Sequence, residues 1–106
     1  MYLIGDIGNT DIKICLFTKD LKLIKQIRIK TSLLNTKYLE KKLKFTQKYK
    51  SNIIKVLFCS VVPKAYKIIK KTIEKSLKIK CVELKKLKLK KLLKIKVNQK
   101  QIGSDR

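Results

Sequence analysis

Five residues near the amino terminus carry groups that suit phosphate chemistry. They are Asp6, Gly8, Asn9, Thr10 and Lys13. A tight turn of this composition offers backbone N–H groups and a hydroxyl to phosphate, a carboxylate to a metal ion, and a lysine as counter-charge. The spacing predicts a phosphate-binding loop at residues 6–13, suited to phosphoryl transfer.

The same residues also fit a plain β-hairpin. Gly8 and Asn9 form ordinary hairpin turns because both residue types tolerate positive φ. Asp6 fits this interpretation less well, because aspartate is depleted in strands and here it ends an apolar run. Taken alone, the segment leaves both interpretations open.

Three strands are predicted to hold this turn, at residues 2–7, 12–17 and 21–29. Short turns join them, which indicates an antiparallel meander. The third strand should bury one face, because its apolar residues share one parity. These residues are Leu21, Leu23, Ile27 and Ile29.

Helices and further strands follow along the chain. Asn35 or Thr36 could cap a helix that runs to about residue 49. The nearly continuous apolar run 53–59 predicts a central strand buried on both faces. Pro63 suits the first turn of a second helix, whose apolar residues keep helical spacing to Leu77. Strands are also predicted at 79–84 and 93–97, so the fold class is α/β, a mixed β-sheet with helices.

The net charge of +22 raises the question of a nucleic-acid partner. Of the 29 basic residues only Arg28 and Arg106 are arginine, which leaves 27 lysines spread along the chain. Readers of nucleic acid favour arginine and stacked aromatic residues, and neither pattern is present. A strongly AT-biased genome accounts for the lysine excess, so we expect only non-specific polycation binding to nucleic acid.

Other sequence features limit where the protein could be located and whether it could bind a membrane or zinc. We expect a cytoplasmic address, because no apolar run is long enough to cross a bilayer and no signal peptide is recognisable. The leucines within residues 85–96 do not form one helical stripe, so no helix lying on a membrane is predicted. Cys15, Cys59 and Cys81 lie in apolar runs without histidine, which predicts reduced core cysteines rather than a zinc site.

Three motifs in order resemble the type III pantothenate kinases and the related Bvg accessory factor proteins. The first is the Asp-x-Gly-Asn-Thr loop at 6–10, and the second is Ser-Val-Val-Pro at 60–63. The third, at 98–106, resembles the family's Asn-Pro-x-Glu-Val-Gly-Ala-Asp-Arg signature and matches it at Asn98, Gly103, Asp105 and Arg106. Glutamines replace the proline and the glutamate of that signature, and without this context the segment would be interpreted as a solvated tail.

The resemblance implies a fold and an activity. The fold is the N-terminal half of the actin/hexokinase/Hsp70-like (ribonuclease H-like) phosphotransferases. The activity is ATP-dependent phosphorylation of pantothenate to 4'-phosphopantothenate, with Mg²⁺ and a monovalent cation (K⁺ or NH₄⁺), in a homodimer.

The resemblance also assigns roles to the residues of the motifs. Asp105 would be the general base on the pantothenate hydroxyl, and Gly103 and Arg106 would bind pantothenate. Asp6 would organise Mg²⁺. The remaining matched residues would hold the phosphates of ATP: Gly8, Asn9, Thr10 and Lys13.

The family's second, ATP-binding domain is not found in these 106 residues, which we interpret as a single N-terminal kinase domain. We therefore expect negligible kinase activity from this segment alone, because phosphoryl transfer needs ATP positioned against its acceptor. Two alternatives stay open, namely a basic nucleic-acid-associated regulatory protein and a non-functional remnant.

Overall fold

A five-stranded mixed sheet organises the chain, and the computed structural model describes residues 1–85 and 87–91 of it. The strands are β1 (Tyr2–Ile7), β2 (Asp11–Phe17), β3 (Leu23–Lys30), β4 (Lys55–Ser60) and β5 (Cys81–Glu83). Their order is β3-β2-β1-β4-β5. The first three strands form an antiparallel meander, while β1–β4 and β4–β5 are parallel pairs. The predicted mixed α/β class and the predicted meander are confirmed.

Two α-helices connect the parallel strands, α1 (Thr36–Lys42) and α2 (Pro63–Leu77). The Asn35 side chain accepts a hydrogen bond of 2.8 Å from the Tyr38 N–H, which confirms the predicted cap. The helix predicted to reach about residue 49 is split, because the backbone at Leu43 ends α1 and a 3₁₀ helix (Lys44–Tyr49) follows. Pro63 begins α2 as predicted. A helical turn occupies 87–91.

The main core lies between the sheet and the two helices. Its strand residues alternate along β1, β2 and β4, and α2 covers them with one apolar face. The fully buried members from these elements are Leu3, Ile7, Ile12, Ile14, Leu16, Val56, Phe58, Ile69 and Ile73. This packing fixes the middle of the sheet and therefore the strand ends that carry polar residues.

Gly5 lies at the centre of this arrangement. The ring of Phe58, on the neighbouring strand β4, occupies the space that a Cβ on Gly5 would need. Only a residue without a side chain allows β1 and β4 to pack in this way.

A smaller apolar cluster covers part of the opposite sheet face. It contains Ile4, Phe17, Leu21, Cys59 and, from the helical turn, Leu89. Both faces of β4 are thus buried at Phe58 and Cys59, as the apolar run predicted. In contrast, the start of that run lies outside the strand, where Ile54 is 48% exposed.

The prediction for β3 is wrong at its beginning. Leu21 lies before the strand, in a turn with φ of 60°, and is buried in the smaller cluster. A register shift between Leu16 and Phe17 pairs Phe17 with Leu23, which is 40% exposed. A bulge of this kind reverses the side-chain alternation, so a constant parity could not hold through the strand. Ile27 and Ile29 do pack on the core side.

Of the two strands predicted near the carboxyl terminus, one lies within the described residues. β5 is shorter than the predicted strand 79–84, and the strand predicted at 93–97 lies outside the described residues. Within residues 1–85 and 87–91, no helix is both long and apolar enough to cross a bilayer.

Candidate phosphate-binding cleft

A cleft of about 520 Å³ opens at the carboxyl ends of the parallel strands β1, β4 and β5. It is lined by Asp6, Cys59, Ser60, Val61, Glu83, Leu84 and Lys85. Ligand sites of α/β sheets form at this edge, where strands end and helices begin. Its volume is within the usual range for small-molecule sites.

Asp6 is held in this cleft by the neighbouring parallel strand. The β1–β4 register pairs it with Cys59, and the Cys59 Sγ donates a hydrogen bond of 3.2 Å to Asp6 Oδ1. The thiol is only 2% exposed, so its position is fixed by packing. Asp6 itself is half-buried. The carboxylate is therefore oriented at the cleft rather than left to rotate in solvent.

The turn after β1 is tied to Thr31, the residue that directly follows β3. The Gly8 N–H donates to the Asp11 carbonyl at 2.9 Å and closes the turn. The Thr31 N–H donates to the Thr10 carbonyl at 2.9 Å, and the Thr31 hydroxyl donates to the Gly8 carbonyl at 2.8 Å. Asn9 and Thr10 are exposed. These bonds hold the turn in place while its polar groups face solvent.

The turn is a hairpin, but its backbone differs from the expected one. Neither Gly8 nor Asn9 has positive φ. Space favours glycine here instead, because a Cβ on Gly8 would lie 3.1 Å from the Asp11 carbonyl oxygen, which is a tight contact. Hairpin and phosphate-loop interpretations are therefore compatible at this turn.

Lys13 lies directly opposite Asp6 across the β1–β2 pair and is half-buried. Oppositely charged residues at such positions stabilise each other across a sheet. The structure thus brings the acid and the lysine of the predicted loop together, on the two strands that the turn joins.

The Ser-Val-Val-Pro motif joins the end of β4 to the start of α2. The Ser60 hydroxyl accepts from the Val62 N–H at 2.9 Å, and the Val61 N–H donates to the Ile7 carbonyl at 3.0 Å. These contacts bring the amino-terminal end of α2 beside the end of β1. A helix amino terminus favours anions, which makes this edge suitable for phosphate.

Sequence reasoning missed several lining residues. Cys59 and Glu83 line the cleft but belong to no motif that was singled out, and Leu84 and Lys85 follow Glu83. Glu83 ends an apolar run as Asp6 does, and that signal could have found it. Gly103, Asp105 and Arg106, together with Asn98, lie outside the described residues.

Buried Cys81 and half-buried Tyr66 form a polar pair on the helix side of the sheet. Burial raises the pKa of the Cys81 thiol to about 11. Burial also raises the pKa of the Tyr66 hydroxyl, and the neighbouring Cys81 adds to that effect. The Cys81 N–H donates to Glu74 Oε2 at 2.9 Å. Both side chains stay neutral near pH 7, which is typical of a structural role.

The solved structures that are weakly similar to this chain include two from Aquifex aeolicus. A Ppx/GppA family member from Aquifex aeolicus is 16% identical, with a TM-score of 0.42 over 80% of this chain and 35% of that one. A second structure of an Aquifex aeolicus PPX-GPPA enzyme is 15% identical, with a TM-score of 0.41 over 79% of this chain and 35% of that one.

Sequence comparison is far more specific. A type III pantothenate kinase from Pelagibacter ubique (strain HTCC1062) is 51% identical over 106 residues, which is 100% of this chain and 43% of that protein. The chain therefore spans less than half the length of this curated relative. A family model for type III pantothenate kinases matches residues 2–106. The resemblance found in the three motifs is confirmed, and the chain belongs to the type III pantothenate kinase family.

Proposed function

We propose that this chain supplies the first phosphate-binding half of an enzyme that transfers the γ-phosphoryl group of ATP to pantothenate. The observation that carries the proposal is Asp6, oriented by Cys59 at the carboxyl end of β1 beside the amino terminus of α2. Asp6 lines the cleft, and a polar turn and a helix amino terminus lie at the same edge of the sheet. This arrangement suits phosphoryl transfer, which depends on positioning and charge stabilisation.

The turn would bind the phosphates of ATP. Its exposed Asn9 and Thr10 offer an amide and a hydroxyl, and Gly8 keeps the backbone close. Lys13, beside Asp6 on β2, would balance the phosphate charge. Hydrogen bonds from such groups to phosphate oxygens are charge-assisted and therefore stronger than neutral ones.

The donor chemistry of the cleft fits Mg²⁺. This ion prefers oxygen ligands and is usually held by one or two carboxylates together with phosphates and water. Among residues 1–85 and 87–91 there is no group of three acidic, cysteine or histidine side chains that could hold a metal by themselves. Asp6 would therefore share the ion with the nucleotide. Mg²⁺, when bound, neutralises charge on the phosphates.

Other roles follow from family membership. Asp105 would accept the proton of the pantothenate hydroxyl, and Gly103 and Arg106 would bind pantothenate, with Arg106 a natural partner for its carboxylate. We also propose a monovalent cation (K⁺ or NH₄⁺), a homodimer, a cytoplasmic location, and residues 1–106 as one N-terminal kinase domain.

Steady-state kinetics of the protein that its gene encodes test the proposal. With ATP, Mg²⁺ and pantothenate, formation of 4'-phosphopantothenate is followed by mass spectrometry. Asp6→Asn should lower kcat/KM by about 100-fold or more, because it removes a charged ligand from the site of phosphoryl transfer. Asp105→Asn should abolish turnover.

Asp20 supplies a matched control. It is an exposed acid at the turn between β2 and β3, and Asp20→Asn should leave the rate unchanged. Full activity of the Asp6→Asn variant, or no phosphorylation by the wild-type protein, would refute the proposed function.

A further inference from the structure

Three side chains form a charged row across the meander. Asp6 pairs with Lys13 between β1 and β2, and Lys13 pairs with Arg28 between β2 and β3. Residues directly opposite each other in antiparallel strands project from the same face of the sheet. The row therefore runs from the cleft, at Asp6, outward to Arg28.

The row lies on the sheet face that α1 and α2 do not cover. The sequence neighbours of Lys13 and Arg28 pack into the main core on the helix side: Ile12, Ile14, Ile27 and Ile29. Because side chains alternate along a strand, Lys13 and Arg28 project from the other face. Arg28 is exposed there.

The charges in the row do not balance. Lys13 and Arg28 are like charges in directly opposite positions, an arrangement that destabilises a strand pair. With the next pair on the same face, Asp11 and Lys30, two carboxylates accompany three cations among these paired residues, so positive charge is in excess. An anion between Lys13 and Arg28 would convert their repulsion into two attractions.

The residue type at position 28 is informative by itself. The chain uses lysine for 27 of its 29 basic residues, and the second arginine, Arg106, lies in the carboxyl-terminal motif. Against this background an arginine marks a position where the guanidinium group matters. Its planar fork binds phosphate through two parallel hydrogen bonds, which lysine cannot reproduce.

β3 is also fastened to the phosphate-binding turn. Thr31, three residues beyond Arg28, makes both of the hydrogen bonds that anchor the carbonyls of Gly8 and Thr10. The backbone of Arg28 therefore keeps a fixed spacing from the turn.

We propose that Arg28, together with Lys13, binds the phosphate chain of the nucleotide next to the turn at residues 8–10. This inference rests on the proposed function and adds a residue outside the recognised motifs. The ligand class is an oligophosphate, and Arg28 contributes affinity for it rather than accepting or donating a proton.

The experiment compares Arg28→Gln and Arg28→Lys with Lys25→Gln in the protein that the gene encodes. Lys25 is the matched control, because it lies on the same strand but over the Phe45 ring on the helix side, 5.2 Å from the ring centroid. Arg28→Gln should raise KM for ATP about tenfold or more without changing KM for pantothenate. Arg28→Lys should give an intermediate value, and Lys25→Gln should match the wild type.

Calorimetric binding of inorganic tripolyphosphate separates this inference from the proposed function. Binding that Arg28→Gln weakens and Lys25→Gln does not would support the inference even if pantothenate were not phosphorylated. Equal weakening by both variants would indicate general attraction to a polycation and would overturn it. An active kinase whose Arg28→Gln variant keeps wild-type affinities for ATP and tripolyphosphate would also overturn it.

Folding does not obscure the result. Arg28 is exposed, and its replacement by glutamine removes a like-charge contact, so Tm without ligand should be equal to or higher than that of the wild type. A lower Tm would contradict the repulsion on which the inference depends.

Discussion

Asp6 depends on Cys59 for its orientation. The thiol donates to Asp6 Oδ1 at 3.2 Å from the adjacent strand. Hydrogen-bond partners of a metal-ligating carboxylate commonly contribute 10- to 100-fold in metal affinity. We predict that Cys59→Ala raises the Mg²⁺ concentration needed for half-maximal activity by about tenfold. Cys59→Ser, which keeps a donor, should stay near the wild type in the same titration.

A cysteine on the other sheet face provides the control for this prediction. Cys81 is also buried but packs on the helix side, so Cys81→Ala should not change the Mg²⁺ requirement. Equal Mg²⁺ requirements for Cys59→Ala and the wild type would show that the thiol does not position Asp6.

Gly5 allows a second prediction at this scale. A Cβ there would overlap the ring of Phe58, so Gly5→Ala should lower the free energy of unfolding by about 1–3 kcal/mol. Urea unfolding measures the change. In the double variant, Phe58→Leu should restore part of the stability that Gly5→Ala loses through this overlap. If the stability losses of the two single variants were strictly additive, overlap with the ring would be excluded as the cause.

The residues of the site differ in how far the sequence could predict them. Asp6, the turn and Lys13 are close in the chain, so their types and spacing were sufficient to predict that they lie together. The contact between Cys59 and Asp6 joins residues 53 positions apart, and the space at Gly5 depends on a ring from the same distant strand. Such relations require the β1–β4 register, which local patterns do not contain.

Among the elements, α2 ends on an unfavourable residue. Lys78 adopts left-handed backbone angles, φ 58° and ψ 33°, at the end of the helix. Glycine adopts this conformation without the Cβ clash. Lys78→Gly should therefore raise the free energy of unfolding by about 1 kcal/mol, measured by urea denaturation.

Substitution by glycine one turn earlier should change the free energy of unfolding in the opposite direction. Lys75 lies in the last turn of α2 with helical geometry, and Lys75→Gly should lower the free energy of unfolding by about 1 kcal/mol. Equal destabilisation by Lys78→Gly and Lys75→Gly would show that the backbone at Lys78 is not strained.

Strand β5 and helix α2 share a pH-dependent contact. Burial raises the pKa of Cys81 from its ordinary value of 9.0 to about 11 in the folded protein. The unfolded chain therefore loses this proton first as pH rises. The stability from the neutral thiol is complete below pH 9 and is lost as pH rises toward about 11.

Replacement of the thiol isolates this effect from the titration of lysines. Cys81→Val removes the ionisable group while keeping an apolar side chain. Between pH 8 and pH 11 the wild type should lose more stability than this variant, as measured by urea midpoints at each pH. Parallel pH profiles would contradict the assignment.

The elements show where periodicity succeeds as a guide. α2 was predicted because helical spacing runs through it, and β1 because an apolar run leads into a turn. The start of β3 was not, because the bulge opposite Phe17 changes which side of the strand Leu23 occupies. A bulge arises from pairing between strands, and the parity of one strand alone carries no record of it.

At the scale of the whole molecule, the most prominent property is the excess of positive charge. A net charge of +22 on 106 residues produces self-repulsion that opposes compaction. Raising NaCl from about 0.01 M to about 0.1 M shortens the Debye length from about 30 Å to about 10 Å. Tm should therefore rise over this range, as followed by circular dichroism. A constant or falling Tm would mean that the lysines are already compensated.

The strand order has a consequence for how the molecule forms. β1, β2 and β3 are joined by short turns, whereas β1 meets β4 only when Tyr2 reaches Lys55. Contacts between distant residues carry a larger loop-closure cost and generally form more slowly than local ones. The polar turn can therefore take shape within the meander, while the cleft exists only after β4 has docked. Assembly of the phosphate site then coincides with the strand pairing of widest sequence separation in the described sheet, and a ligand that needs the complete cleft binds only chains that have formed it.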